Sequence, residues 1–176
     1  MGRATGIPRR AGPGSSNLYQ PCVTCTKPRT LCIRIRRPTA RPWDFGHANL
    51  AILEEGQPTV TYGNWPGTQN GSNINDIRRN DPGDDPAKDS RFRKEDVKCK
   101  QLTPEEEKKL EEAINKKQQY GVTDNNCARW AGTTWNNVTG DSLNYGATTN
   151  TLYNSPTTLL ESMNPQPTPS IPGGVP

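Results

Sequence analysis

Along the middle of the chain the apolar positions fall into two rhythms. In "GHANLAIL", Gly46 to Leu53, they alternate and then run together; the turn "EEGQ" follows, and "PTVTYGNW", Pro58 to Trp65, alternates again. Period-two patterning on both sides of a glycine-bearing turn predicts a β-hairpin. Antiparallel pairing would bring His47, at the start of the first strand, and Asn64, at the end of the second, to the same end of the ribbon.

The second rhythm is helical. "LTPEEEKKLEEAINKKQQY", Leu102 to Tyr120, opens with Thr103 and Glu106 as a capping box and Pro104 at the first helical position. Leu110, Ala113 and Ile114 give it one apolar stripe, and its many charges form a solvated face with Glu105 and Lys109, and Glu112 and Lys116, at four-residue spacing. Further on, three good N-cap residues, Asp124, Asn125 and Asn126, precede Cys127, Trp130, Ala131, Trp135 and Val138 at helical spacing, and Gly140 closes the segment. Between hairpin and first helix, the stretch from Pro66 to Ser90 is rich in Gly, Asn, Asp and Pro. It reads as a long surface loop of the kind that serves as a lid or binding segment.

Only 30% of the 176 residues are hydrophobic, so the length predicts one domain with a small core. The 16 glycines and 17 prolines weigh toward both ends. The division this suggests is a basic Pro/Gly-rich leader with a cysteine cluster (1–41), a folded domain (42–163) and a proline-rich tail (164–176). Residues before about Tyr19 and after about Asn164 are expected to lack regular structure. No stretch reaches the roughly 20 apolar residues of a membrane helix, and the N-terminal segment has no apolar signal-peptide region, so delivery outside the producing cell would need another route.

The net charge of +4 conceals an asymmetry: nine Lys or Arg and no acid precede Asp44. Such an arm feels any polyanion, but it offers no groove-reading element or stacking aromatics, so specific nucleic-acid recognition is not expected. Of five cysteines, Cys22, Cys25 and Cys32 cluster, while Cys99 and Cys127 stand apart. His47, the one histidine, could complete a zinc site with the cluster, but a second CxxC or an HxxxH is missing. A disulfide within the cluster, or inert thiols, fits better.

Cys127 falls in the first turn of its helix, where unpaired amides and the positive end of the dipole lower a thiol pKa. Position alone also suits a small side chain packing the helix on the core. The lone histidine starting a strand alters the balance, because a cysteine nucleophile needs a base within reach. "GHANLAI", then "YGNWP", then a capped helix leading to "NNCARWA", resembles the circularly permuted branch of the papain-like, NlpC-type cysteine hydrolases, over roughly Asp44 to Met163. The resemblance implies an α+β, papain-like fold with the cysteine helix packed on a small antiparallel sheet. It also implies Cys127 as nucleophile, His47 as base, and a polar residue on the next strand to orient the imidazole, for which Asn64 is the candidate with Thr61 and Tyr62 behind it. The oxyanion would be held by the Cys127 amide and a second donor. Similar domains occur in polymorphic toxins and type VI secretion effectors. That context implies a secretion apparatus, a cognate immunity protein, and a peptidoglycan-peptide or protein substrate met after delivery into a target cell, in the periplasm before the cytoplasm. No cofactor or metal is expected. Two alternatives stand: a cysteine protease, deamidase or acyl hydrolase acting on a cytoplasmic protein or lipid, and a non-catalytic module whose basic arm binds a partner.

Overall fold

The computed structural model describes residues 19, 28–41, 44–67, 76–122, 125–146 and 155–164. The expectations for both tails, for Cys22 and Cys25 and for Asp124 lie outside them. Five strands, β1 (Thr30–Arg36), β2 (His47–Leu53), β3 (Val60–Asn64), β4 (Ile77–Arg79) and β5 (Phe92–Gln101), form one antiparallel sheet in the order β4-β3-β2-β1-β5. Three helices follow, α1 (Pro104–Asn115), α2 (Cys127–Thr139) and α3 (Pro156–Met163). The fold is α+β. Among the described residues no helix is long and apolar enough to cross a membrane.

Strict alternation builds the sheet. Leu31, Ile33 and Ile35 of β1 share a face with Ala48, Leu50 and Ile52 of β2 and Tyr62 of β3, and this face carries the core against Leu110 and Ile114 of α1, Trp135 and Val138 of α2 and Leu159 of α3. The other parity places Cys32, Arg34, His47, Asn49, Thr61 and Gly63 on the outer face. The β2–β3 hairpin is the one its pattern predicts.

β1 corrects the expected domain boundary. "TLCIRIR" lies inside the segment read as leader, yet it is hydrogen-bonded on both sides, to β2 and β5, and its middle five residues are buried. Leader charges therefore do structural work: Arg29 donates to both Glu107 oxygens at 2.9 and 2.6 Å, tying the approach to β1 onto α1, and Arg37 grips the buried Asp96 of β5. Tyr19 packs into the core and donates to Glu107 at 3.0 Å.

Cys32 and Cys99 are direct cross-strand partners joined by a disulfide. This takes Cys32 out of any pairing within the N-terminal cluster; Cys22 and Cys25 lie outside the described residues. A zinc site built on that cluster fails as well, since Cys32 is consumed and, among the described residues, no His/Cys/Asp/Glu group could hold a metal.

The helices start and stop where their caps dictate. Thr103 and Glu106 form both bonds of the capping box, at 3.3 and 2.9 Å. Asn126 caps α2, and Gly140 ends it with φ 76°, a left-handed conformation that costs other residues more. Trp135 anchors α2, fully buried, its indole N–H donating to Asp141 at 2.8 Å.

Candidate active site

Cys127 opens α2. The Asn126 side chain accepts from the Arg129 amide at 3.1 Å, which fixes the helix start and leaves the thiol on the first turn among amides the helix itself does not use. Cys127 is 6% exposed and stands against His47 and the backbone N–H groups of Ala48 and Ala128, all of which favour its thiolate. Burial pushes its pKa up. The imidazolium charge, its hydrogen bond and the two amides outweigh burial, so the thiol sits below its ordinary value.

The imidazole answers in the opposite direction. His47 is buried, which disfavours its charged form, but the Cys127 thiolate and the Asp84 carboxylate more than compensate and raise its pKa above the ordinary value. The two shifts share one cause: each group stabilises the charged form of the other.

Nε2 of His47 donates to Asp84 Oδ1 at 2.9 Å, which leaves Nδ1 as the nitrogen for the thiol. Asp84 ends a single 3-10 turn, Pro82–Asp84, and is fully buried. Its Oδ1 also accepts from Asn49 Nδ2 at 3.0 Å, Oδ2 accepts from Trp65 Nε1 at 3.4 Å, and its backbone oxygen accepts from Arg34 Nη2 at 2.8 Å. Arg34 Nε in turn donates to Asn49 Oδ1 at 3.0 Å, so two strand residues hold Asp84 from beneath, Asn49 at its carboxylate and Arg34 at its backbone oxygen. Trp65 stacks on the imidazole with ring centroids 3.9 Å apart and planes at 26°. The ring can neither turn over nor be hydrated from that side.

Gly63 makes this approach possible. A Cβ there would lie 2.7 and 2.9 Å from the Asp84 carboxylate oxygens and 2.7 Å from Trp65 Nε1, closer than side-chain atoms settle. The carboxylate occupies the space a side chain would take. Being the first residue of β2, His47 stands at the end of the sheet. There a thiol from the helix layer and a carboxylate from the outer face can both reach it.

The structure brings Cys127 and His47 together, but the residue on the imidazole is Asp84 and not Asn64. Asn64 has the parity of Tyr62, facing the helices, and donates to the Asn125 carbonyl at 2.8 Å. Thr61 points to the outer face, and Tyr62 packs edge-on against Tyr19 in the core. Asp84 lies in the segment read as loop, among Asp81 and Asp85, and no sequence pattern separates it from them; "DPGD" announced a turn and nothing more. A cavity of about 410 Å³ lies behind that turn, lined by Arg34, Thr61, Asn80, Asp81 and Lys88 among others; neither Cys127 nor His47 lines it.

A buried thiolate–imidazolium pair backed by a carboxylate can form and resolve a covalent acyl intermediate. No family model matches the chain, and no curated protein or solved structure is significantly similar to it.

Proposed function

We propose that the protein is a cysteine hydrolase of papain-like type, an amidase or peptidase with Cys127 as nucleophile, His47 as base and Asp84 as the residue that orients and charges the imidazole. The observation that carries this reading is the helix-start thiol set against the only histidine, whose other side a fully buried carboxylate holds at 2.9 Å. The Cys127 thiolate attacks the carbonyl carbon, forming the C–S bond while the π electrons move to oxygen. The oxyanion meets the backbone N–H of Cys127 at the start of α2. His47 then gives its Nδ1 proton to the departing nitrogen as the C–N bond breaks. A water, deprotonated by the same imidazole, attacks the thioester and regenerates the thiolate. Asp84 keeps Nε2 protonated throughout.

For the target we propose cell-wall peptide crosslinks, reached by a delivered antibacterial effector with a cognate immunity protein. A net charge of +4 concentrates the chain on an anionic polymer, and the Cys32–Cys99 bridge suits the oxidising periplasm. The test is expression of wild type, Cys127→Ala and His47→Ala in bacteria, directed separately to cytoplasm and periplasm, with chromatography of purified peptidoglycan after incubation. Toxicity confined to the periplasm, lost in both variants, with new peptide fragments is the expected result. Toxicity that survives Cys127→Ala would remove the nucleophile and the reading with it; cytoplasmic toxicity would keep the enzyme and move its substrate.

A further inference from the structure

Asn64 has no part in the relay, yet it is fully buried beside the nucleophile. The β2–β3 register pairs Asn49 with Gly63, so the next step sets Asn64 alongside Ala48, whose N–H reaches the thiol. Its Nδ2 donates to the carbonyl of Asn125, two residues ahead of Cys127. That bond settles which end of the amide is nitrogen. The other end, Oδ1, is buried without a hydrogen-bond partner among the described residues.

An unpaired buried carbonyl oxygen is costly, and a site bears that cost where a ligand completes the bond. The acceptor does not serve the imidazole, whose Nε2 belongs to Asp84 and whose other nitrogen faces the thiol. The thiol, like the Asn64 amide, is almost closed over in this form, and the amide is bonded to the residue two places before Cys127. We propose that Asn64 is a substrate-positioning residue: its Nδ2 fixes the turn carrying the nucleophile, and its Oδ1 accepts the N–H adjoining the group attacked by Cys127. This rests on the hydrolase reading and narrows it, because a substrate with an N–H at that place is an amide and an ester lacks the donor.

The test uses two isosteric reagents, N-methyl-2-iodoacetamide and methyl iodoacetate, which differ at that place by N–H against O. In both, the thiolate attacks the CH₂ carbon, the C–S bond forms as the C–I bond breaks, and iodide leaves. Rates at Cys127 are read by peptide mass spectrometry on the full-length protein, and the ratio of the two is divided by the same ratio for glutathione. One neutral hydrogen bond predicts a preference for the amide of up to about tenfold in wild type. Asn64→Leu, similar in size but with no acceptor, should abolish the preference; Asn64→Asp, which keeps oxygen acceptors and loses the donor to Asn125, should slow both reagents and retain it. A merely structural Asn64 would slow both equally and leave the ratio alone. The wild-type ratio stands whether or not a variant folds. A rapidly alkylated Cys127 with glutathione's own ratio overturns this inference and leaves the hydrolase standing, whereas a Cys127 no faster than glutathione with either reagent overturns both.

Discussion

Gly63→Ala separates the relay from the rest of the fold with a single methyl group. Gly63 has strand backbone without a positive φ, so alanine meets no conformational obstacle. The obstacle is its Cβ, 2.7 Å from Asp84 Oδ2 and 2.9 Å from Oδ1. Restoring an ordinary contact of about 3.5 Å moves the carboxylate by roughly 0.6–0.8 Å. The 2.9 Å bond to His47 then stretches past hydrogen-bonding distance. A hydrogen bond to a charged group is worth about 1.5–3 kcal/mol, and at about 1.4 kcal/mol per pKa unit the imidazolium, and with it the thiolate, loses about one to two units of stabilisation. The assay is the pH profile of iodoacetamide alkylation at Cys127, with circular dichroism to confirm folding. Alkylation near pH 6 should fall about 10- to 100-fold, because the thiolate fraction there depends on the ion pair, and should converge on wild type at a pH where the thiol is ionised unaided. A folded Gly63→Ala protein with the wild-type profile would show that Asp84 does not set the charge of the pair.

His47→Ala removes the charge that holds the thiol down and leaves burial unopposed except by two amides, so the alkylation pKa of Cys127 should rise from below the ordinary thiol value toward or above it; an unmoved pKa would make Cys127 an ordinary core thiol. Asn126→Ala deletes the cap of α2 and should cost about 1 kcal/mol, read as a lower urea midpoint, and should slow alkylation because the first turn frays. No loss of either would place the thiol's activation outside the helix start.

The parts of the fold legible in the sequence are those fixed by local chemistry. Thr103 and Glu106 cap α1's N-terminal amides behind Pro104, Asn126 caps those of α2 and Gly140 donates its N–H to the Asn136 carbonyl at α2's end, so both helices could be placed without knowing what they pack against. His47 and Cys127 could be matched because each began an element of readable type. The hidden parts are set by distant partners. β1 was obscured because its outer-face arginines made a buried strand look like a basic tail; Arg34 is buried because Asn49 and Asp84, 15 and 50 residues away, take its donors. β5, "FRKEDVKCKQ", is an edge strand, and edge strands carry charge to deter pairing, which erases the alternation that would reveal them. Asp84 was invisible for a further reason: its role depends on the absence of a side chain at Gly63, 21 positions earlier, and on the turn that folds the loop back over the sheet.

The disulfide and the Cys127 thiol are kept apart by register. Cys32 lies opposite Cys99 on the outer face, and Cys99 is exposed, while Cys127 sits under the helix layer at the far side of the sheet. A one-residue slip of β5 would turn Cys99 to the other face, so the bridge itself fixes the pairing of that edge strand. It also lies two residues from Arg34, on the strand that supports Asp84. Arg34 is nevertheless held independently by Asn49 and by the Asp84 backbone oxygen, so the local geometry of the relay does not need the bridge. The effect of removing the bridge should therefore be global: with the cysteines 67 positions apart, opening the loop gives the unfolded chain entropy worth about 4 kcal/mol. The Cys32→Ser, Cys99→Ser double variant should show a large drop in urea midpoint against oxidised wild type, and wild type in dithiothreitol should follow it, while the alkylation pKa of Cys127 in buffer stays where it was. An unchanged midpoint would mean that the bridge does not form in solution. A shifted thiol pKa would mean that β1 transmits the staple to the Asp84 carboxylate after all, and that Arg34, not the turn at Pro82–Asp84, is what sets its position.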